Sequence, residues 1–317
     1  MNKTYKNFIF LFVVVISTLL YFLNKYNNII EQNEIDIFVS NQVELVQQEL
    51  TNQKNQALSL AILFSKNQNI IDNLEQDKPK ELKKEILKLL EIIKTYSNQN
   101  NLQVQIHTKD LKVFVRSWED KDSGLSLENF RKGLVKVKET KEPYVSNELG
   151  KRFNIKAIAP IFNKSGEYIG TIEVIMDYSD LKNRLKYMGI DIIALLEKEY
   201  LQIAKSHQNS AFLYDYVVIE DEYDKSFFDF LLSNKEYLSN KEYLSNKKFY
   251  YENKNKIITQ ISLGDVDKQS IGLLMIRFDK DKQKFSYLPR YEYKGDINIK
   301  SDIKNKEEIE KKEIIIR

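Results

Sequence analysis

The spacing of hydrophobic positions changes character several times along this chain. From Asn7 to Leu23 the residues NFIFLFVVVISTLLYFL carry no charge, enough for about 26 Å of helix and near the lower limit for crossing a bilayer. Lys3 and Lys6 precede this run, Lys25 follows it, and Glu31, Glu34 and Asp36 come soon after. That basic bias predicts an N-terminus inside and everything later outside. The following NKYNNII holds no small-residue cleavage site, which argues against a removed signal peptide. Apolar residues all round argue against a soluble core helix. The best later candidate, Ile271 to Ile276, stops at Arg277, so one crossing is expected.

Beyond the anchor, Val43, Val46, Leu50, Ala57, Ala61 and Phe64 recur at three- and four-residue steps among Gln, Asn, Glu and Lys. This predicts a helix over about 30–65, roughly 54 Å long. Its single apolar stripe needs a partner, either another part of the same domain or the same helix of a second copy. A second helix is predicted over 80–96, with Leu82, Ile86, Leu89, Leu90 and Ile93 on one side.

The period then shortens to two. Residues 103–107 and 112–118 alternate as strands, 125–137 returns to helical spacing, and 144–148, 154–162 and 168–177 read as three more strands. Asn163-Lys164-Ser165-Gly166 supplies a hairpin turn between the last two. Five strands with a helix after the second is a PAS-like order, an antiparallel sheet with helices on its face. A third helix is predicted over 179–205, then a looser second copy: a strand at 212–219, a helix at 223–232, and strands at 256–263 and 270–278. The fold class expected is therefore α+β, with a transmembrane helix, a long helix and two tandem PAS-like modules. The divisions expected are 1–27 for the anchor, 28–100 for the helices, 101–187 and 188–285 for the membrane-distal and membrane-proximal modules, and 286–317 for a charged tail.

LSNKEYLSNKEYLSNK, from Leu232 to Lys247, repeats every six residues. Six steps turn a helix by 600°, so Leu232, Leu238 and Leu244 cannot share a face; an expanded surface loop is the reading preferred.

Charge and composition narrow the chemistry. Lys+Arg at 49 against Asp+Glu at 46 leaves +3 over 317 residues, too even a balance to indicate nucleic-acid binding. Cysteine is absent, which removes disulfides, thiolate metal sites and cysteine nucleophiles. His107 and His207 are too few for HExxH or a Cys/His zinc site. There is no GxSxG, P-loop or GxGxxG, and Glu220-Asp221-Glu222 lacks the alternation of a calcium loop. His207 is expected near a helix end, exposed or complementing the dipole, and Asp177 in a cap or turn. No enzyme, cofactor or metal is expected.

The stretches HTKDLKVFVRSW, FRKGLVKV, IKAIAPIF and GEYIGTIEV carry a family likeness. The chain resembles the extracytoplasmic sensor of bacterial chemoreceptors and related transducers, in the double-Cache class, over roughly 30–285. The resemblance implies a small-molecule sensor held outside the inner (cytoplasmic) membrane, a periplasmic module. Relatives continue through a second crossing into HAMP and output domains. Neither is present in these residues, so a sensor without its own output domain is expected, or the remnant of a chemoreceptor. An envelope structural or interaction protein is the alternative from another class. Where the resemblance calls for an arginine in the fourth strand, this chain has Lys156, which keeps the charge without the planar fork.

In such modules the ligand lies between the sheet and the segments crossing its face. Alternation sets Phe114, Arg116 and Trp118 on one face of the second strand and Thr171, Glu173 and Ile175 on one face of the fifth. Arg116 with Trp118 offers a carboxylate fork beside an aromatic wall. Arg131 on the following helix, with Lys156 and His107 on neighbouring strands, adds positive charge, and Glu173 would hold a ligand ammonium or one of these cations. The partners expected are a carboxylate-bearing or amino-acid-like ligand, the membrane, a second copy along the long helix, and a separate signalling subunit; no nucleic acid is expected.

Overall fold

The charge-free segment and the amphipathic stripe form one uninterrupted helix, α1 (Lys3–Ser65), in a computed structural model that describes residues 3–281 apart from 98, 100, 239–249 and 268. The two halves of α1 differ in what they touch. Phe10 and Phe22 are 72% and 64% exposed, whereas Val39, Val46, Ala57 and Ala61 are fully buried. The stripe lies against the chain's own sheets, so the partner that it needs is intramolecular. A homodimer contact through Val46, Leu50 and Phe64 is thereby corrected: these side chains already belong to the core.

Two short helices follow. Gln68–Glu75 (α2) begins at Asn67, whose side chain accepts from the Ile70 backbone N–H at 3.2 Å, an N-cap that stabilises so short a helix by about 1 kcal/mol. The sequence reading did not foresee it. Pro79–Tyr96 (α3) opens with proline in its first turn, where no amide bond is lost, and buries Leu82 and Ile86.

The first sheet contains β1 (Leu102–Thr108), β2 (Val113–Arg116), β3 (Tyr144–Glu148), β4 (Asn154–Phe162) and β5 (Tyr168–Met176), in the antiparallel order β2-β1-β5-β4-β3. Its two faces have different duties. Val104, Ile106, Ile155, Ala157, Ala159, Ile172 and Val174 point toward α1 and join its core. The opposite face meets Leu134 and Val137 of α4 (Lys132–Thr140) near Val113 and Ile158, and elsewhere carries mainly polar side chains. The helix foreseen over 125–137 begins only at Lys132. Before it, Leu125 and Leu127 are tied to Val113 and Leu111 by single backbone hydrogen bonds and form a strap, not a helix. The Asn163–Gly166 turn is present as expected: Asn163 Oδ1 accepts from the Ser165 and Glu167 amides, and Gly166 takes φ +81°, which a side chain would disfavour.

The second half departs more from expectation. The helix expected over 179–205 stops after nine residues, as α5 (Ser179–Tyr187), with Gly189 at φ +76° beyond it. Ile190–Glu197 is then a strand, β6. Its IDIIAL run is rich in β-branched isoleucine and buried on both faces, a composition that strands accept better than helices. With β7 (Phe212–Leu213), β8 (Tyr216–Val218), β9 (Tyr250–Asn253), β10 (Lys256–Gly264) and β11 (Ser270–Asp279) it forms a six-stranded antiparallel sheet, β7-β8-β6-β11-β10-β9. Ile192, Ala194, Leu274 and Ile276 face the α1 side. The other face is closed by α6 (Lys225–Ser233) and the 3-10 turn after it, where Phe227 and Leu231 of the helix and Tyr237 of the turn pack on Ile193, Leu195 and Met275. Most of the hexapeptide repeat and all of the charged tail lie outside the described residues.

Candidate functional site

The polar face of the first sheet is the floor of a cavity of about 350 Å³, within the range of small-ligand sites. Strand alternation builds this floor. Gln103 and Gln105 on β1, Arg116 on β2, Asn154 and Lys156 on β4 and Ile175 on β5 line it, with Gln105 opposite Arg116 and Lys156 opposite Ile175 in the ladder. The strap contributes Leu125, Leu127 and Phe130 as a roof, and the β3–β4 loop contributes Gly150, Lys151 and Arg152 as a wall. Ser206, from the second half of the chain, completes the lining.

Four of the six residues singled out from the sequence meet here: Arg116, Trp118, Arg131 and Lys156. Trp118 lies just past the end of β2 and is 39% exposed, so plain core packing does not account for it. Its ring stands 5.7 Å from the Arg116 guanidinium carbon, a cation–π separation. Arg131 is not on the helix but at the residue that precedes α4. His107 and Glu173 lie outside the lining, fully buried beneath it. His107 Nδ1 is 3.0 Å from Thr171 Oγ1. Burial, with Arg131 and Arg116 nearby, holds its pKa well below the usual histidine range, so its 4.0 Å approach to Glu173 is not an ion pair at neutral pH.

The cations of the lining differ in how they are compensated. Arg131 is held between Glu148, at 3.2 Å, and Glu173. Burial alone would disfavour its charge, and the two carboxylates outweigh burial and raise its pKa. Gly133 leaves the space that the Glu148 carboxylate occupies. Arg116 bonds Glu119 at 2.5 Å and Asp122 at 2.6 Å. Asp122 also takes Lys151 across the mouth, and its hydrogen bonds from Lys151 and Arg116 lower its pKa to about 2. Arg152 reaches Asp221 at 3.5 Å.

Lys156 has no such partner. Its ammonium donates to the carbonyls of Glu148 at 2.8 Å and Arg152 at 3.1 Å, and among the described residues no carboxylate comes within ion-pair distance. Burial, reinforced by Arg131, lowers its pKa to about 7. A Cβ on Gly150 would sit 2.8 Å from Nζ, so glycine at that loop position keeps the amine's space open.

A second cavity of about 450 Å³ adjoins the first, sharing Gln103, Trp118, Arg152, Asn154 and Ile175 and adding Asp177 and Asp221. Asp177 Oδ1 accepts from the Ser179 amide at 2.9 Å, the turn role expected of it. Its cavity wall was not foreseen. Nor was the role of His207, which is buried, not exposed: its Nε2 accepts from the Phe153 amide at 3.4 Å. Burial, then Arg152, lowers its pKa to about 4, which keeps that nitrogen free to accept. Together with the Ser206 amide donating to the Lys151 carbonyl at 3.0 Å, this bond ties the β3–β4 loop to the second half of the chain.

The family model for the double sensory domain of two-component sensor kinases, dCache_3, matches residues 39–223, more than half of the chain. The chain belongs to the double-Cache family. Solved structures similar to it include the V. cholerae histidine kinase DctB sensor domain (11% identity, 76% of this chain and 95% of that one, TM-score 0.44). The periplasmic domain of V. cholerae LuxQ (12%, 76% and 98%, 0.47) and the ligand-binding domain of the Campylobacter jejuni chemoreceptor Tlp3 in complex with L-valine (16%, 77% and 97%, 0.33) are also similar. No curated protein matches. The double-Cache family is a sensory, ligand-binding one, and the two sheets described above are its Cache-like modules. α1 is the one helix among the described residues long and apolar enough to cross a membrane.

Proposed function

We propose that this double-Cache chain is a membrane-anchored sensor whose first module binds a small carboxylate-bearing metabolite outside the cytoplasmic membrane. The contrast between the two sheets carries this reading. On the first, the face away from α1 holds a cavity with Arg116, Lys151, Arg152 and Lys156 in its lining. On the second, the same face is filled by Phe227, Leu231 and Tyr237. Apolar walls from Trp118, Leu127 and Phe130 with a few fixed polar groups are the usual makeup of a metabolite site. The adjoining compartment with Asp177 supports an amino-acid-like ligand, its ammonium toward that side and its carboxylate toward the cations.

Thermal shifts of the full chain in nanodiscs, measured across organic acids and amino acids, test this function. Carboxylate compounds are expected to stabilise it, since a ligand at a hundred times its dissociation constant adds about 2.7 kcal/mol. Arg116→Ala should weaken the best compound at least tenfold, because it leaves Lys151 as the one cation against the Glu119 and Asp122 carboxylates and makes the mouth net negative. Stabilisation indifferent to Arg116 would contradict the site.

The exposed apolar segment of α1 and the basic residues before it support the anchor and its orientation. A periplasm-dependent reporter fused after residue 281 is expected to be active and a cytoplasm-dependent one silent. The reverse pattern would overturn the topology.

A further inference from the structure

The cavity's cations are not equivalent, and the difference says where an anion can dock. Arg116, Arg131, Lys151 and Arg152 each have a carboxylate of the chain itself within ion-pair distance. A ligand carboxylate approaching any of these competes with a tethered anion. Lys156 alone in the lining has only carbonyl acceptors among the described residues.

A primary amine bonded to two carbonyls has one tetrahedral position left. In the neutral amine that position is a lone pair, which repels a carboxylate; in the ammonium it is a third N–H, which binds one. We propose that the ligand's carboxylate docks on this third position of Lys156 and that the amine takes up one proton from solvent as it does. The inference rests on the reading of the first-module cavity as the ligand site.

The balance is simple: one proton leaves water, the amine becomes an ammonium, and its charge is cancelled by the incoming carboxylate. No bond to carbon is made or broken. The surroundings explain why the free site does not already hold that proton in full. Burial disfavours the charge, and Arg131 opposes it further, while Glu148 and Glu173 favour it without touching the amine. Arg116 and Arg152 at the mouth, and the neutral His207 behind the β3–β4 loop, add no negative charge. The result is a lysine with a pKa of about 7, near half-protonated at neutral pH. A carboxylate at Nζ supplies the missing opposite charge and raises that pKa.

Trp118 is the single tryptophan of the chain and lines the cavity, so its fluorescence reports occupancy without a label. The full chain in nanodiscs would be titrated with acetate, succinate and glycine at pH 6, 7, 8 and 9, at constant ionic strength with chloride as the control anion. The expected result is a saturable change whose affinity is level below pH 7 and falls about tenfold per unit above it. In Lys156→Arg, which stays charged, the affinity should be flat with pH; in Lys156→Met, saturation should be lost while the protein stays folded by thermal melting. A saturable response level from pH 6 to 9 in the unsubstituted chain overturns the proton uptake and leaves the cavity reading standing. No saturable response to any of the three at any pH, including pH 6, overturns both.

Discussion

Lys156→Met is expected to make the protein more stable at pH 7 while abolishing its response to carboxylates. The native lysine is displaced from 10.5 to about 7, a penalty on the folded state of roughly 4 kcal/mol at 1.4 kcal/mol per unit. Methionine removes this penalty and leaves the buried Glu148 carbonyl without a donor, at about 1–3 kcal/mol, while the carbonyl of the exposed Arg152 turns to water. The balance is a gain of about 2 kcal/mol, or roughly 5 °C in melting temperature. The pH dependence fixes the sign. With the folded pKa below the unfolded one, the penalty is full below pH 7, declines between about 7 and 10.5, and vanishes above. The variant's advantage should therefore shrink as pH rises through 8 to 10. A melting temperature lower than that of the native chain at pH 6–7 would show that this ammonium is compensated and is no free anion site. A side chain that costs stability where methionine would fit fits a role in binding.

Glu220→Gln should give a gain of similar size by the opposite linkage. Glu220 follows β8 and is 7% exposed. One carboxyl oxygen accepts from the Ala194 amide at 3.2 Å, and the other has no hydrogen-bond partner among the described residues. Burial raises its pKa to about 8. A carboxyl whose folded pKa is raised costs nothing below its unfolded value of 4.5, progressively more from there to 8, and a constant amount above. At pH 7.5 the cost is roughly 3–4 kcal/mol. Glutamine keeps an acceptor for Ala194 and carries no charge, so the melting temperature at pH 7.5 should rise by about 6–10 °C. At pH 4 the two proteins should melt together. A gain that persists at pH 4 would show that it does not come from the carboxylate's charge, and a loss at pH 7.5 would show that the carboxylate is charged and compensated in the fold.

How much of this was legible in the sequence depends on whether the decisive contact is local. Alternation in LQVQIHT and in NIKAIAPIF marks a sheet with one apolar and one polar face, and that polar face is the cavity floor. Arg116, Trp118 and Lys156 follow from it. Gln103, Gln105 and Asn154 carry the same signal and were within reach of the same argument. Glu148 was not: its pairing with Arg131 joins residues 17 apart through the packing of a strap against a strand end, which no periodicity encodes. Ser206 and His207 come from the other half of the chain, and only the tertiary fold brings them to the β3–β4 loop. β6 was misread as helix because a strand buried on both faces shows no alternation, so Ile190–Glu197 passed for the continuation of α5. The stripe on α1 was legible as a stripe, but its partner was not, since a sheet and a second helix demand the same apolar face.

Whether an anion occupies the first module's cavity at Lys156 is decided by a crystal structure of the full chain with the best-stabilising carboxylate. Ligand density is expected between Trp118 and Ile175, with a carboxylate oxygen within hydrogen-bond distance of Lys156 Nζ, and Arg131 still held by Glu148 and Glu173. A ligand bound over the second sheet, or one in the first cavity with its carboxylate turned away from Lys156, would contradict it.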